Sequence, residues 1–68
     1  VTIELRVNGE PQRVADGTTV AALLKQMNVP AEGVAVEVNA EVVRKARHGE
    51  VTLHGGDQVE IVTFVGGG

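Results

Sequence analysis

Sixty-eight residues make one domain, too small to wall off a deep catalytic pocket, so the chain is expected to present a surface. Six basic against nine acidic residues scattered along the chain, with a net charge of -3, argue against nucleic acid and anionic membrane as partners. With no cysteine there is no disulfide, thiolate metal site or cysteine nucleophile, and no secretory or membrane-spanning run interrupts the pattern, which fits a cytoplasmic protein.

Val1, Ile3, Leu5 and Val7 alternate with Thr2, Glu4 and Arg6, the period of a half-buried strand. Asn8-Gly9 supplies two residues that tolerate positive φ, and Gln12 to Ala15 returns as the second arm of a hairpin. Pro11 has no N–H and suits an edge strand or a strand beginning. Asp16-Gly17-Thr18-Thr19 breaks the alternation, with Asp16 or either threonine as the cap of the helix that follows. Val20, Leu23, Leu24 and Met27 then fall on one helical stripe, with Lys25 and Gln26 on the wet side. Asn28 and Pro30 end that helix, and Pro30 to Gly33 leads into Val34–Val38, a second β-branched alternation.

Beyond it, Asn39-Ala40-Glu41 turns the chain toward Val42-Val43, and Arg44 to Glu50 reads as loop or a short helical turn. Val51-Thr52-Leu53 reads as a brief edge strand, His54 to Asp57 as another turn, and Gln58 to about Phe64 as the last strand. This order predicts an α+β domain over residues 1–64, a β-grasp arrangement in which one helix packs on one face of a mixed sheet of about five strands. The last strand is placed beside the first. The expected core is Ile3, Leu5, Val7, Val20, Leu23, Leu24, Met27, Val36, Val38, Leu53, Val59 and Ile61.

Strand parity singles out one end of the molecule. Val59, Ile61 and Thr63 share one face of the last strand, while Gln58, Glu60, Val62 and Phe64 share the other. A wet face at Gln58 and Glu60 makes Val62 and Phe64 wet as well, placing the only aromatic residue outside the core as a partner anchor, with Val65 following it. A bulge that reversed the parity would instead turn Phe64 into the core. Residues 65–68 form a flexible glycine tail, and three glycines in a row cost more backbone entropy to fix than any other triplet. Such an end suits threading. Without Cβ atoms, Gly66 and Gly67 can pass a channel too narrow for side chains and present the Gly68 carboxylate.

No catalytic residue and no metal ligand set is assigned within the chain. His48 and His54 are six residues apart with no third ligand in a known spacing, and both read as solvated loop groups. Gly55-Gly56 precedes a strand and does not open a helix, so a phosphate loop is absent and no cofactor is expected on this chain. A C-terminal carboxylate, with an ordinary pKa near 3.5, is an anion at neutral pH and a poor target for a nucleophile. It needs activation from outside.

The stretches Asp16 to Leu24, Val34 to Asn39 with Glu41 to Val43, Gly56 to Val62, and Phe64-Val65-Gly66-Gly67-Gly68 together resemble the sulfur carrier proteins of thiamin biosynthesis. The likeness runs over nearly the whole chain. It implies a ubiquitin-like β-grasp fold and a terminal glycine, Gly68 here, that a partner adenylates with ATP and converts to a thiocarboxylate for thiazole formation. Implied partners are an adenylating enzyme, a sulfur-donating enzyme and thiazole synthase, with the chain itself a substrate and not an enzyme. Three glycines depart from the minimal diglycine pattern, which leaves open which of them a channel grips. The same tail chemistry would serve a molybdopterin-synthase small subunit or a ubiquitin-like modifier, and a plain interaction domain would leave the glycines idle.

Overall fold

Asn8 and Gly9 set the first hairpin. In the computed structural model, which describes residues 1–63, they adopt φ of 52° and 85°, the left-handed pair that lets a two-residue turn match strand twist. β1 (Thr2–Val7) and β2 (Glu10–Ala15) pair antiparallel from Thr2↔Ala15 to Val7↔Glu10. β2 therefore starts at Glu10, ahead of the Gln12 start that the alternation indicated, and takes in Pro11. The sheet tolerates this because β2 is an edge, where a missing N–H leaves no second neighbour unpaired.

Thr19 is extended and its side-chain oxygen accepts from the Ala22 amide at 3.1 Å, capping α1 (Val20–Gln26). Thr18 does something else: its hydroxyl donates to the Ala15 carbonyl at 2.6 Å and tightens the preceding turn. Past the C-cap at Met27, Asn28 takes φ of 60° and stops the helix. The chain then enters β3 (Val34–Val38) and doubles back as β4 (Glu41–Val43). Here the turn is Asn39-Ala40 alone, and Glu41 belongs to the strand, paired with Val38.

Ala40 sits at φ of 70°, a conformation in which a Cβ crowds the backbone. Ala40→Gly relieves that crowding but adds unfolded-chain entropy, so a net gain of about 0.5–1 kcal/mol is expected, seen as a rise of several degrees in the melting temperature. A lower melting temperature would show that the turn is not strained.

A short 3-10 turn at Lys45–Arg47 follows, and Val51 to Leu53 then departs from expectation. It is not a strand. Only Thr52 bridges, to Thr19, while Leu53 donates its amide to the Thr18 carbonyl and Val51 accepts from the Val20 amide. The segment crosses the turn that caps α1, where a single extended residue is on offer, so a ladder cannot propagate. Leu53 is nevertheless fully buried.

β5 (Gln58–Thr63) closes the sheet in the order β2-β1-β5-β3-β4. It runs parallel to β1 through Arg6↔Gln58 and Val7↔Val59, and antiparallel to β3 from Val34↔Thr63 to Val38↔Val59. This is the expected β-grasp sheet, with the last strand beside the first. Leu5, Val7, Val14, Val36 and Val59 from the sheet meet Val20, Leu23 and Leu24 from the helix, with Leu53 beneath them. Ile3, Met27, Val38 and Ile61 pack around this centre half-buried. Val14 was missing from the expected core. It faces Ile3 across the hairpin, and directly opposed residues share a face.

Candidate functional site

β5 is the strand that carries the chain toward its C terminus, and its two faces differ as the parity required. Val59 is buried and Ile61 half-buried under the helix, while Gln58, Glu60 and Val62 lie on the open face. Val62 is 53% exposed and stands opposite Ala35 of β3; Val42, 69% exposed, stands on the same face opposite Glu37. Between these apolar residues Glu37 and Glu60 oppose each other directly. Like charges in that position destabilise a sheet, and neither carboxylate has an ion-pair partner among the described residues. On β5, β3 and β4 this face therefore sets Val62 and Val42 beside an acidic pair, while β1 and β2 add Glu4, Arg6 and Arg13 to it. Of the residues that the sequence singles out for partner binding and threading, Val62 is on this face; Phe64, Val65, Gly66, Gly67 and Gly68 lie outside the described residues.

Two asparagines hold β5 from either side. Asn39 donates its amide to the Gln58 carbonyl at 2.7 Å, accepts the Gln58 amide on Oδ1 at 3.0 Å, and donates from Nδ2 to Asp57 Oδ1 at 3.0 Å. Asn8 donates its amide to the Val59 carbonyl at 2.8 Å. Its side chain then accepts the Ile61 amide at 2.8 Å and donates to the Ile61 carbonyl at 3.2 Å. Sequence reasoning identified both asparagines as turn residues only. The positive φ that makes them turn formers also points their side chains across to β5.

His48 corrects an expectation. It is not a solvated loop group: only 4% of it is exposed, and its Nε2 donates to the Val43 carbonyl at 3.1 Å. Its own carbonyl accepts the Ala21 amide, so the residue ties β4 to the start of α1. Nδ1 is buried without a partner. His54 is exposed, as expected. Among the described residues no three His, Cys, Asp or Glu side chains gather as metal ligands, and no helix is long and apolar enough to cross a membrane. A shallow hollow of about 440 Å³ lies along β4, lined by Val38, Val43 and Val51 with Glu41, Arg44 and Arg47.

Lys45 Nζ meets Glu32 Oε2 at 2.8 Å, and the hydrogen bond and attraction of that ammonium hold the Glu32 carboxyl below its usual 4.5. A lowered carboxyl pKa means that the pair acts above the unfolded value and is lost as pH falls through the folded one. Both side chains are more than half exposed, so the effect on stability is slight. Lys45→Met is expected to return Glu32 to an ordinary titration by carbon-13 NMR without changing the melting temperature; an unmoved Glu32 midpoint would dismiss the pair.

A five-stranded mixed sheet with one helix on one face, an open opposite face and the last strand at its centre define a small β-grasp domain. The profile of the ThiS family matches residues 5–68, and the chain belongs to that family, the sulfur carriers of thiamine biosynthesis. The chain is 40% identical over 65 residues to the sulfur carrier protein ThiS of Bacillus subtilis, covering 94% of this chain and 98% of that one. It superposes on the crystal structure of the thiamine biosynthesis protein ThiS from Geobacter metallireducens with a TM-score of 0.84, at 40% identity, covering 97% of this chain and all of that one. It is also 42% identical over 66 residues to a thiazole synthase of Paramagnetospirillum magneticum, of whose length it spans only 20%.

Proposed function

We propose that the chain carries sulfur on the carboxyl group of Gly68 and delivers it for thiazole formation. The observation that carries this reading is the extent of the family match, which runs through the body and on to Gly68 itself. In the proposed cycle the Gly68 carboxylate attacks the α-phosphate of ATP held by an adenylating partner, releasing pyrophosphate and leaving an acyl adenylate in which the acyl group no longer carries the carboxylate charge. The terminal sulfur of a persulfide on a donor enzyme attacks that carbonyl and expels AMP. A thiol then cleaves the resulting acyl disulfide, leaving the Gly68 thiocarboxylate and a disulfide on the donor. The thiocarboxylate is a polarizable anionic nucleophile, competent toward an electrophilic carbon once a partner excludes water and fixes the tail.

Residues 1–64 act in this reading as the address and 65–68 as the arm. From Val65 to Gly68 an extended chain spans at most about 13–14 Å, enough to enter a neighbouring active site with little slack. Gly66 and Gly67 thread the channel, while Val62, with Phe64 and Val65, makes the apolar contact. Support for thiazole synthase as the acceptor comes from the relative of that name, in which the matching region and a much larger remainder share one polypeptide.

Whole-protein mass spectrometry after incubation with ATP, an adenylating enzyme and a persulfide donor tests the carrier step; the expected product has one oxygen replaced by sulfur. The charged carrier is then divided between thiazole synthase with its substrates and the large subunit of molybdopterin synthase with its pterin precursor. Transfer in the first assay is expected. Transfer only in the second would reject the thiazole assignment, and no mass change at all would reject the carrier reading.

A further inference from the structure

The parallel ladder between β1 and β5 is only two pairs long, and it ends where β1 turns away at Asn8. Among the described residues no strand lies on that side of β5 beyond Val59, so no backbone group there meets the Ile61 amide and carbonyl. The Asn8 side chain does so instead, accepting the Ile61 amide at 2.8 Å and donating to the Ile61 carbonyl at 3.2 Å. The amide orientation is fixed by this pairing, because only Oδ1 can accept from an N–H and only Nδ2 can donate to a carbonyl. Both bonds lie at the surface, 53 residues apart in sequence, and so add little to the core. Their position is what matters. Ile61 is the last residue of β5 held from both sides, since past it the strand is paired only with Val34 and Ala35 of β3.

We infer that Asn8 is a positioning residue for the transfer reaction, fixing the direction in which β5 sends the chain toward a partner's active site. This rests on the carrier reading of Gly68. With Asn8 in place, only Val62 and Thr63 of β5 are held by β3 alone; without its side chain the last residue held from both sides is Val59, and the one-sided stretch grows to Glu60–Thr63. A strand end held more loosely has more freedom to lose when the tail threads into the partner, so the threaded complex forms less readily. That cost falls on ground state and transition state alike, so it raises KM for the carrier and leaves kcat near the parent value.

Asn8→Gly is the informative variant, because glycine keeps the left-handed turn at φ of 52° while deleting both side-chain bonds. In steady-state adenylation by the partner enzyme, KM for the carrier is expected to rise about fivefold to tenfold with kcat changed less than about twofold. Hydrogen exchange at the Ile61 amide should quicken while the Leu23 and Val36 amides keep their protection. Asn8→Asp, which retains the acceptor for the Ile61 amide and loses the donor, should fall between the two. Faster exchange at Ile61 with KM unchanged would reduce Asn8 to a structural role and overturn the inference alone, as would a KM rise accompanied by equal loss of protection at Leu23 and Val36. A parent chain that never gains sulfur in the mass assay would overturn the carrier reading and this inference with it.

Discussion

A chain ending at Gly67 is expected to lose adenylation and thiocarboxylate formation while its unfolding free energy changes by less than about 0.5 kcal/mol. The glycine requirement survives this truncation, since the shortened chain still ends in Gly66-Gly67. What changes is reach. Removing one residue pulls the carboxylate back by about 3.3–3.6 Å, and reacting groups misplaced by as little as about 1 Å can cost a hundredfold in rate. Nothing in the β-grasp body changes, because β5 ends at Thr63 and the core lies further back, at Val59 and beneath it. Gly67→Val complements the deletion by keeping the length and adding a branched side chain that a narrow channel excludes. Loss in both variants supports a threaded tail of fixed length. Undiminished turnover of the chain ending at Gly67 would place the modified position elsewhere or show that the partner does not gauge length.

Much of this was legible in the residues, and the places where it was not share a cause. β1, α1, β3 and β5 each carry an uninterrupted period, and each lies within a residue or two of where that period placed it. The exposure of Val62 also followed from parity alone, because a regular strand fixes its faces without reference to the rest of the fold. His48 carried no such signal. It sits in Arg44 to Glu50, a polar stretch with no period, and its burial arises from β4 and α1 closing over it. Val51 to Leu53 misled in the opposite way, since its apolar pattern was real but its neighbour was a capped turn instead of a strand. The side-chain roles of Asn8 and Asn39 depend on contacts 53 and 19 residues away, which no local window contains. Family likeness reached the tail, where physical patterning offered only the absence of side chains.

Leu23→Ala is expected to bring the fold itself close to failure, in contrast to any change at the tail. Leu23 is fully buried in the middle of α1, packed in the cluster that joins Leu5, Val36 and Val59 of the sheet to Leu53. Replacing it removes three heavy atoms from a centre with little capacity to collapse, and such truncations typically cost about 2–5 kcal/mol. A domain of this length has a total stability of roughly 3–10 kcal/mol, so the loss is a large fraction of the whole. The melting temperature should fall by about 10 °C or more, since each kcal/mol corresponds to several degrees in a domain this small. Leu23→Met, which conserves volume, should recover most of the loss. Val62→Ala, on the open face, should cost less than about 0.5 kcal/mol and serves as the matched apolar control. Calorimetry of the three variants decides the matter. A Leu23→Ala chain that melts within about 2 °C of the parent would mean that helix and sheet are not joined through this residue, and the delivery of the tail by a rigid central strand would lose its mechanical basis.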